Sequence, residues 1–511
     1  MASIEEALAI AVDLHQAGRS DEAEALYRRI LDADPDLHGA LYFLGVLLAQ
    51  NGRLAEAGGL IGRAAALRAD IADYHAMLGK VMQALGRAEE AVGCYRRVML
   101  LQPDAGESFA SAGVMLQNLG RGDEAITALG RAAALVPADA DIRQRLALLL
   151  QLRGVRHIEA RRSGQAVSDL SRALALGGAS VDLFFQLGNA FARDGQSERA
   201  ITSYAKAIAL QPDHIGAAFN IGVLKKTSGD LEQSITMLSR VVRIVPDYLD
   251  ARENLAIALY MADRVPEATA QSAELLALKT RTLRVEAAAL GLPPLPEAPS
   301  APQRRTRNVV AFSLWGDKDI YLRGAVENAR LTPAVYPDWT CRFYHDDSVP
   351  ATVLAELAAL GADLVAMPPG SGATSGLYWR FLVSDDPEVA RFVCRDCDSR
   401  LGARERAAVD AWIASGLPFH VMRDHVLHTE VILAGMWGGM AGLLPAMAPA
   451  VADFSSSEAD RWQDQRFLRS RVWPLIEARC LVHDSVHQEH GVPFPGGAAG
   501  TKPYSVGCRI L

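Results

Sequence analysis

The chain is poor in cysteine, and its 511 residues carry only six, at Cys94, Cys341, Cys394, Cys397, Cys480 and Cys508. Their wide spacing excludes a disulfide framework and fits a reducing, cytoplasmic compartment. Tryptophan is missing from the first 310 residues, and all seven lie between Trp315 and Trp473. No Lys/Arg-rich run offsets the formal charge of −8, which argues against nucleic acid as a partner. The N-terminus begins Met1-Ala-Ser-Ile-Glu5-Glu6, without the basic segment of a secretory signal. The one long stretch free of charge, Val431–Ala452, is interrupted by Gly435, Gly438, Gly439, Gly442, Pro445 and Pro449. It reads as a loop and a short buried helix rather than a membrane span.

Composition changes sharply near residue 290. Alanine, leucine, arginine and glycine dominate before it; every tryptophan and five of the six cysteines follow it. Between lies Gly291-Leu-Pro293-Pro294-Leu-Pro296-Glu-Ala-Pro299-Ser-Ala-Pro302, which reads as a semi-rigid spacer. The expected organisation is an array at 1–290, a linker at 291–306 and a second domain at 307–511.

The first part is periodic. Gly18, Gly52, Gly86, Gly120 and Gly154 are spaced by 34, as are Gly195 and Gly229, with Asp263 in the next place. A second ladder runs Ala23, Ala57, Ala91, Ala125, Ala166, Ala200, Ser234, Ala268. A third runs Gly45, Gly79, Gly113, Ala147, Gly188, Gly222, Ala256. Pro35, Pro103, Pro137, Pro212 and Pro246 close units. Each unit reads as helix, glycine turn, helix and proline stop. The step from Gly154 to Gly195 is seven residues too long, which places an insertion at Val155–Gly164, in the hairpin of the fifth unit. The three ladders resemble the tetratricopeptide repeat over residues 4–280, about eight units. The resemblance implies a right-handed all-α superhelix that takes a protein partner in its groove.

The second part alternates strand and helix signals, as α/β folds do. Strands are expected at Val309–Leu314, Trp339–Tyr344, Asp363–Met367 and Val389–Cys394, with helices at Tyr321–Leu331, Val353–Leu360, from Tyr378, and at Arg404–Ala414. The last strand runs into Arg395-Asp396-Cys397-Asp398. Side chains two apart on a strand share a face, so Asp396 and Asp398 aim both carboxylates at one point while Cys397 faces away. Two oxygen ligands at a strand end suit Mg²⁺ or Mn²⁺ carrying a diphosphate. Ser313, Leu314, Trp315 and Gly316 end another strand, where ligands of open α/β sheets bind.

A first strand, a helix, a second strand, a helix with Tyr378-Trp379-Arg380, and a strand ending in Asp-x-Asp resemble the GT-A glycosyltransferases, with the glycogenin-like layout. The later Trp462-Gln463-Asp464-Gln465-Arg466-Phe467-Leu468 and the echo of a family tail motif in Lys502-Pro503-Tyr504 add to that likeness. The resemblance implies a metal-dependent transferase that takes a nucleotide-sugar donor and a protein or glycan acceptor. It implies donor contacts from Arg380, Gln465 and Ser313–Gly316, a third metal ligand in His483, and roles at the sugar or acceptor for Asp424, His425 and Asp464. Arg380 has a plainer alternative, a pairing with Asp385 or Asp386 nearby. The segment around Asp424 and His425 reads equally as a His-rich surface turn, and Trp437 as either a sugar platform or core. A scaffold whose second domain is catalytically silent is the competing function.

Overall fold

The computed structural model describes residues 3–290, 295–297, 305–454, 462–487, 489, 491–496 and 506. Most of the proline-rich spacer and Lys502-Pro503-Tyr504 lie outside them. Sixteen α-helices fill Ile4–Leu290, from Ile4–Gln16 to Val265–Leu290, as eight consecutive pairs. Among the described residues no helix is long and apolar enough to cross a membrane.

The glycine ladders do two different jobs. Gly18, Gly52, Gly86, Gly120, Gly195 and Gly229 turn between helices at φ of 73° to 87°, the left-handed region that suits a residue without Cβ. Gly45, Gly79, Gly113 and Gly188 sit where helices touch; a Cβ there would lie 2.4–2.8 Å from Ile61, Tyr95, Leu129 and Tyr204 respectively.

This separates two roles that residue spacing had merged at the fifth pair. Gly154 is a contact glycine, whose Cβ would meet Leu170 at 2.7 Å. The turn place is held by Arg161, at φ 57°. The insertion is therefore not in the hairpin at 155–164. It lies upstream of Gly154 and is absorbed in Ala140–Glu159, a helix of 20 residues against 13 for its counterpart Gly106–Asn118. Seven residues make close to two turns, so the helix lengthens while its faces stay within about 20° of register.

The chain parts into two compact units, Met1–Ala217 and Ala218–Leu511. The first is helical throughout. The second joins the last repeat helices to a mixed seven-stranded sheet. Its strands are β1 (Arg307–Leu314), β2 (Trp339–His345), β3 (Asp363–Ala366), β4 (Val389–Cys394), β5 (Phe419–Arg423), β6 (Trp437–Met440) and β7 (Cys480–Asp484), in the order β3-β2-β1-β4-β6-β5-β7. β1, β2, β3 and β4 run parallel, β6 is antiparallel to both neighbours, and β7 pairs parallel with β5. Both faces of the sheet are covered, so β1 carries the continuous apolar run Val309–Phe312 instead of an alternation. Val309 and Ala311 enter one layer with Phe392, Cys394 and Trp437; Val310, Phe312 and Leu314 enter the other with Phe343, Val393 and Trp412.

Compositional change and compactness part company at residue 290. Helix Val265–Leu290 sends Leu276 and Leu283 into the first layer. Lys279 donates to Glu430 at 2.5 Å, Arg284 to Glu477 at 2.7 Å, and Val426 packs among Ile235, Leu238 and Leu255 of the preceding helices. A division at the proline-rich stretch would separate these groups.

Candidate functional site

Sheet order marks a switch point. β1 has β2 on one side and β4 on the other, so chain direction across the sheet reverses between β1 and β4. The carboxyl ends at such a switch point diverge and leave room for a ligand. Ser313–Gly316 and Asp396/Asp398 follow these two strands.

Past β4 the alternation carries as far as Cys397, where the chain turns. Arg395 N donates to Ala311 O at 3.0 Å. The buried Arg395 guanidinium turns inward to Glu405 Oε1 at 2.7 Å, and Tyr336 Oη donates to the same oxygen at 2.8 Å. Cys397 joins that inner layer and donates to Ser313 O at 3.2 Å. Cys394 lies in the opposite layer, so the two thiols do not make a metal pair. Asn328 fastens the turn after the aspartates: Nδ2 donates to Ser399 O at 2.7 Å and Oδ1 accepts from Leu401 N at 3.1 Å.

Arg380 stands at the centre. Nη1 donates to Asp396 Oδ1 at 2.5 Å and Nη2 to Asp464 Oδ2 at 2.8 Å. Its backbone N donates to Ser313 Oγ at 2.9 Å, tying it to the end of β1. The nearby alternatives are engaged elsewhere, Asp386 by Arg342 at 2.6 Å and Asp385 by the Met447 N–H at 2.8 Å. Burial works against the Arg380 charge, yet Asp396 and then Asp464 hold its pKa above the ordinary value. Burial pushes Asp464 up, and the Arg380 charge only partly offsets this. The Arg380 side chain is 6% exposed and that of Asp396 43%, so the cation is buried and the acid faces solvent. Asp398 is nearly buried beside it, at 9%.

At the ends of β1 and β2 lies a polar shelf. Gly316 N donates to Ser348 Oγ at 2.7 Å, and Asp346 Oδ2 accepts from Gly372 N at 2.8 Å. Burial opposes the Asp346 charge, but hydrogen bonds from Ser348 and Gly372 hold its pKa below the usual carboxylate range. The Trp315 indole rests on Gly372 and Gly376, where a Cβ would come within 2.5–2.6 Å of it. Leu314 is core, so only its backbone can serve a ligand.

Gln465 works one step removed. Its Oε1 accepts from Ala434 N at 3.1 Å and its Nε2 donates to Ile432 O. It thereby clamps the loop that presses Gly435 on Asp396, where a Cβ would lie 2.0 Å from Oδ2. The same segment, residues 424–435, is anchored at Glu430 by Lys279 and at His425 Nε2 by Tyr260 Oη, 3.0 Å away. It is a strap from the last repeat helices to the acidic cluster.

Three expected site residues do not join that cluster. Asp424 is fully buried and receives Arg404 through both carboxylate oxygens at 2.8 and 2.9 Å, with Ser485 and the Val506 N–H as further donors. With its oxygens so engaged it is a structural anchor rather than a base. His425 faces Tyr260 of the repeat helices. His483 lies on β7, three strand spacings from β4, about 14 Å. Its Nδ1 is 2.8 Å from His420 Nε2, and burial lowers its pKa to about 4. Among the described residues no three His, Cys, Asp or Glu side chains form a ligand set. Trp437 is fully buried against Phe381 and Phe392, in the core. Asn328, Asp346 and Glu405 escaped sequence reasoning. The available signal was a polar residue on an otherwise apolar face, as Asn328 is between Ala325, Ala329 and Thr332.

Comparison with known proteins bears on the helical part. The tetratricopeptide repeat family model matches residues 8–74, 76–142 and 152–215. Among curated proteins none matches the chain. Solved structures similar to it include YrrB, described as a tetratricopeptide-repeat protein with an unusual peptide-binding site. It is 21% identical over 37% of this chain and 95% of its own, with a TM-score of 0.27. A repeat protein of Parabacteroides merdae is 15% identical over 50% of this chain and 98% of its own, with a TM-score of 0.28. PilF of Pseudomonas aeruginosa is 16% identical over 42% and 94%, with a TM-score of 0.26. The family-model match identifies the N-terminal helical array of this chain as tetratricopeptide repeats.

Proposed function

We propose that the protein is a metal-dependent glycosyltransferase that moves a sugar from a nucleotide-sugar to a protein or glycan acceptor brought by its repeats. The observation that carries this reading is the Arg380–Asp396–Asp464 cluster, with Asp398, at the β1/β4 switch point. Carboxylate oxygens at a half-open strand end are the donors a hard cation takes. Asp396 and Asp398 would hold Mn²⁺ or Mg²⁺ without His483. Bound there, the ion would neutralise the charge that develops on a diphosphate leaving group.

The chain's own groups supply the rest. Arg380 orients Asp396, and its positive charge favours a phosphate nearby. The Gly316 and Ser348 shelf would seat the nucleoside. Asp464, raised by burial and facing Arg380, is the remaining acid for the sugar side. The test is a nucleotide-sugar hydrolysis screen with Mn²⁺, comparing wild type with Asp396→Asn and Asp398→Asn. Each substitution is expected to lower turnover by about tenfold or more. Full activity in excess EDTA would end the metal assignment.

One contact favours a second reading, an interaction scaffold with a silent α/β part: Arg380 already engages Asp396 Oδ1. Under that reading no nucleoside diphosphate binds with Mn²⁺, which calorimetry decides.

A further inference from the structure

The two extra turns of helix Ala140–Glu159 add about 10 Å of rise. A cavity of about 630 Å³ opens at its end. It lies between the first turn of helix Gly122–Leu135, the last turns of Ala140–Glu159 and the start of Ser163–Gly177. Its lining includes Arg153, Arg156, His157, Arg162 and two carboxylates, Asp123 and Asp169.

The carboxylates belong to Arg153. Its Nε and Nη2 donate to Asp169 at 2.8 Å each, and its Nη1 to Asp123 at 3.1 Å. His157 Nε2 stands 3.6 Å from Asp169. The Arg156 and Arg162 side chains, by contrast, make no hydrogen bond or ion pair among the described residues. Three guanidiniums face two carboxylates, an excess of positive charge in a chain of net charge −8. The unpaired two come from different elements, one from the helix end and one from beyond the left-handed turn at Arg161. Such a pair suits carboxylates spaced along a chain better than one small anion, and the open volume admits several residues.

We propose that this notch binds an acidic peptide segment of a partner protein, with side-chain carboxylates on Arg156 and Arg162. Arg153, held by Asp169 and Asp123, forms the fixed floor. The contacts are charge-assisted and bidentate where geometry allows. The site is independent of the catalytic proposal.

The experiment titrates fluorescein-labelled hexaglutamate with the full-length protein by anisotropy. Saturable binding is expected, weakened about tenfold or more by Arg156→Gln/Arg162→Gln and by raising salt from about 50 to about 300 mM. Both side chains are exposed, so the variant should melt with the wild type. Arg29→Gln/Arg131→Gln, on exposed helix positions elsewhere, should bind as wild type. Equal loss in that control would reduce the effect to diffuse charge and overturn the proposal. So would failure of hexaglutamate to bind, or inorganic phosphate binding at the notch where hexaglutamate does not.

Discussion

Cutting the chain where its composition changes should destroy the fold it appears to delimit. A fragment of 307–511 keeps all seven strands but loses Leu276 and Leu283, which are 1% and 5% exposed in the sheet core. Each buried leucine lost costs about 2–5 kcal/mol. Removing Lys279 takes the 2.5 Å partner from Glu430, whose side chain is 18% exposed, and leaves it Arg469 at 3.9 Å, at about 3–5 kcal/mol for a broken buried pair. The sum, about 7–15 kcal/mol, equals the usual stability of a whole domain. A fragment of 212–511 retains helix Ile215–Ser228 and everything after it. Urea titration followed by tryptophan fluorescence should therefore give a cooperative transition for 212–511 and none for 307–511. In the full chain, Lys279→Ala should lower Tm by roughly 6–15 °C if the pair is worth what its burial implies. A cooperative 307–511 fragment melting within a few degrees of 212–511 would refute this account of the core.

Four other expectations follow from the site and the core. Gly435→Ala puts a Cβ 2.0 Å from Asp396 Oδ2, so it should displace the acid and reduce donor turnover by about 100-fold with little change in melting. Arg380→Met leaves Asp464 unpaired at 8% side-chain exposure, and a loss of about 3 kcal/mol is expected by urea titration, partly recovered when Asp464→Leu is added. Burial raises the Cys341 and Cys394 thiols to about 12, so at pH 8 both should resist thiol reagents until the protein unfolds, as peptide mapping would show. Burial lowers His483 to about 4 and His428 to about 3, below the unfolded value near 6.5. Their contribution is complete above about pH 6.5 and falls with acidification, by about 1.4 kcal/mol per pH unit each, as the unfolded imidazoles take up protons. Urea titrations between about pH 5.5 and about pH 4.5 should approach that slope, and His483→Gln should reduce it.

Sequence alone determined what repeats locally. Helix pairs, turn glycines and contact glycines follow from a 34-residue period because each helix meets its neighbour in the same way. β1, β2 and β4 were legible as apolar runs, and the opposite layers of Cys394 and Cys397 followed from the two-residue period of a strand. Tertiary structure decided what depends on distant residues. Gly154 and the six turn glycines are the same residue type, and only packing on Leu170 shows which job Gly154 has. β5, β6 and β7 are short, at four or five residues, and Gly438 and Gly439 of β6 read as a loop until Phe392 and Phe419 close on them. Arg380 could reach acids close in sequence or far from it, and the choice of Asp396 and Asp464 was made by the β1/β4 neighbourhood. His483 suited a metal by type and order along the chain, but sheet order put three strand spacings between them. Strand order arises from pairing between segments remote in sequence, so it leaves no periodic signature in any one of them.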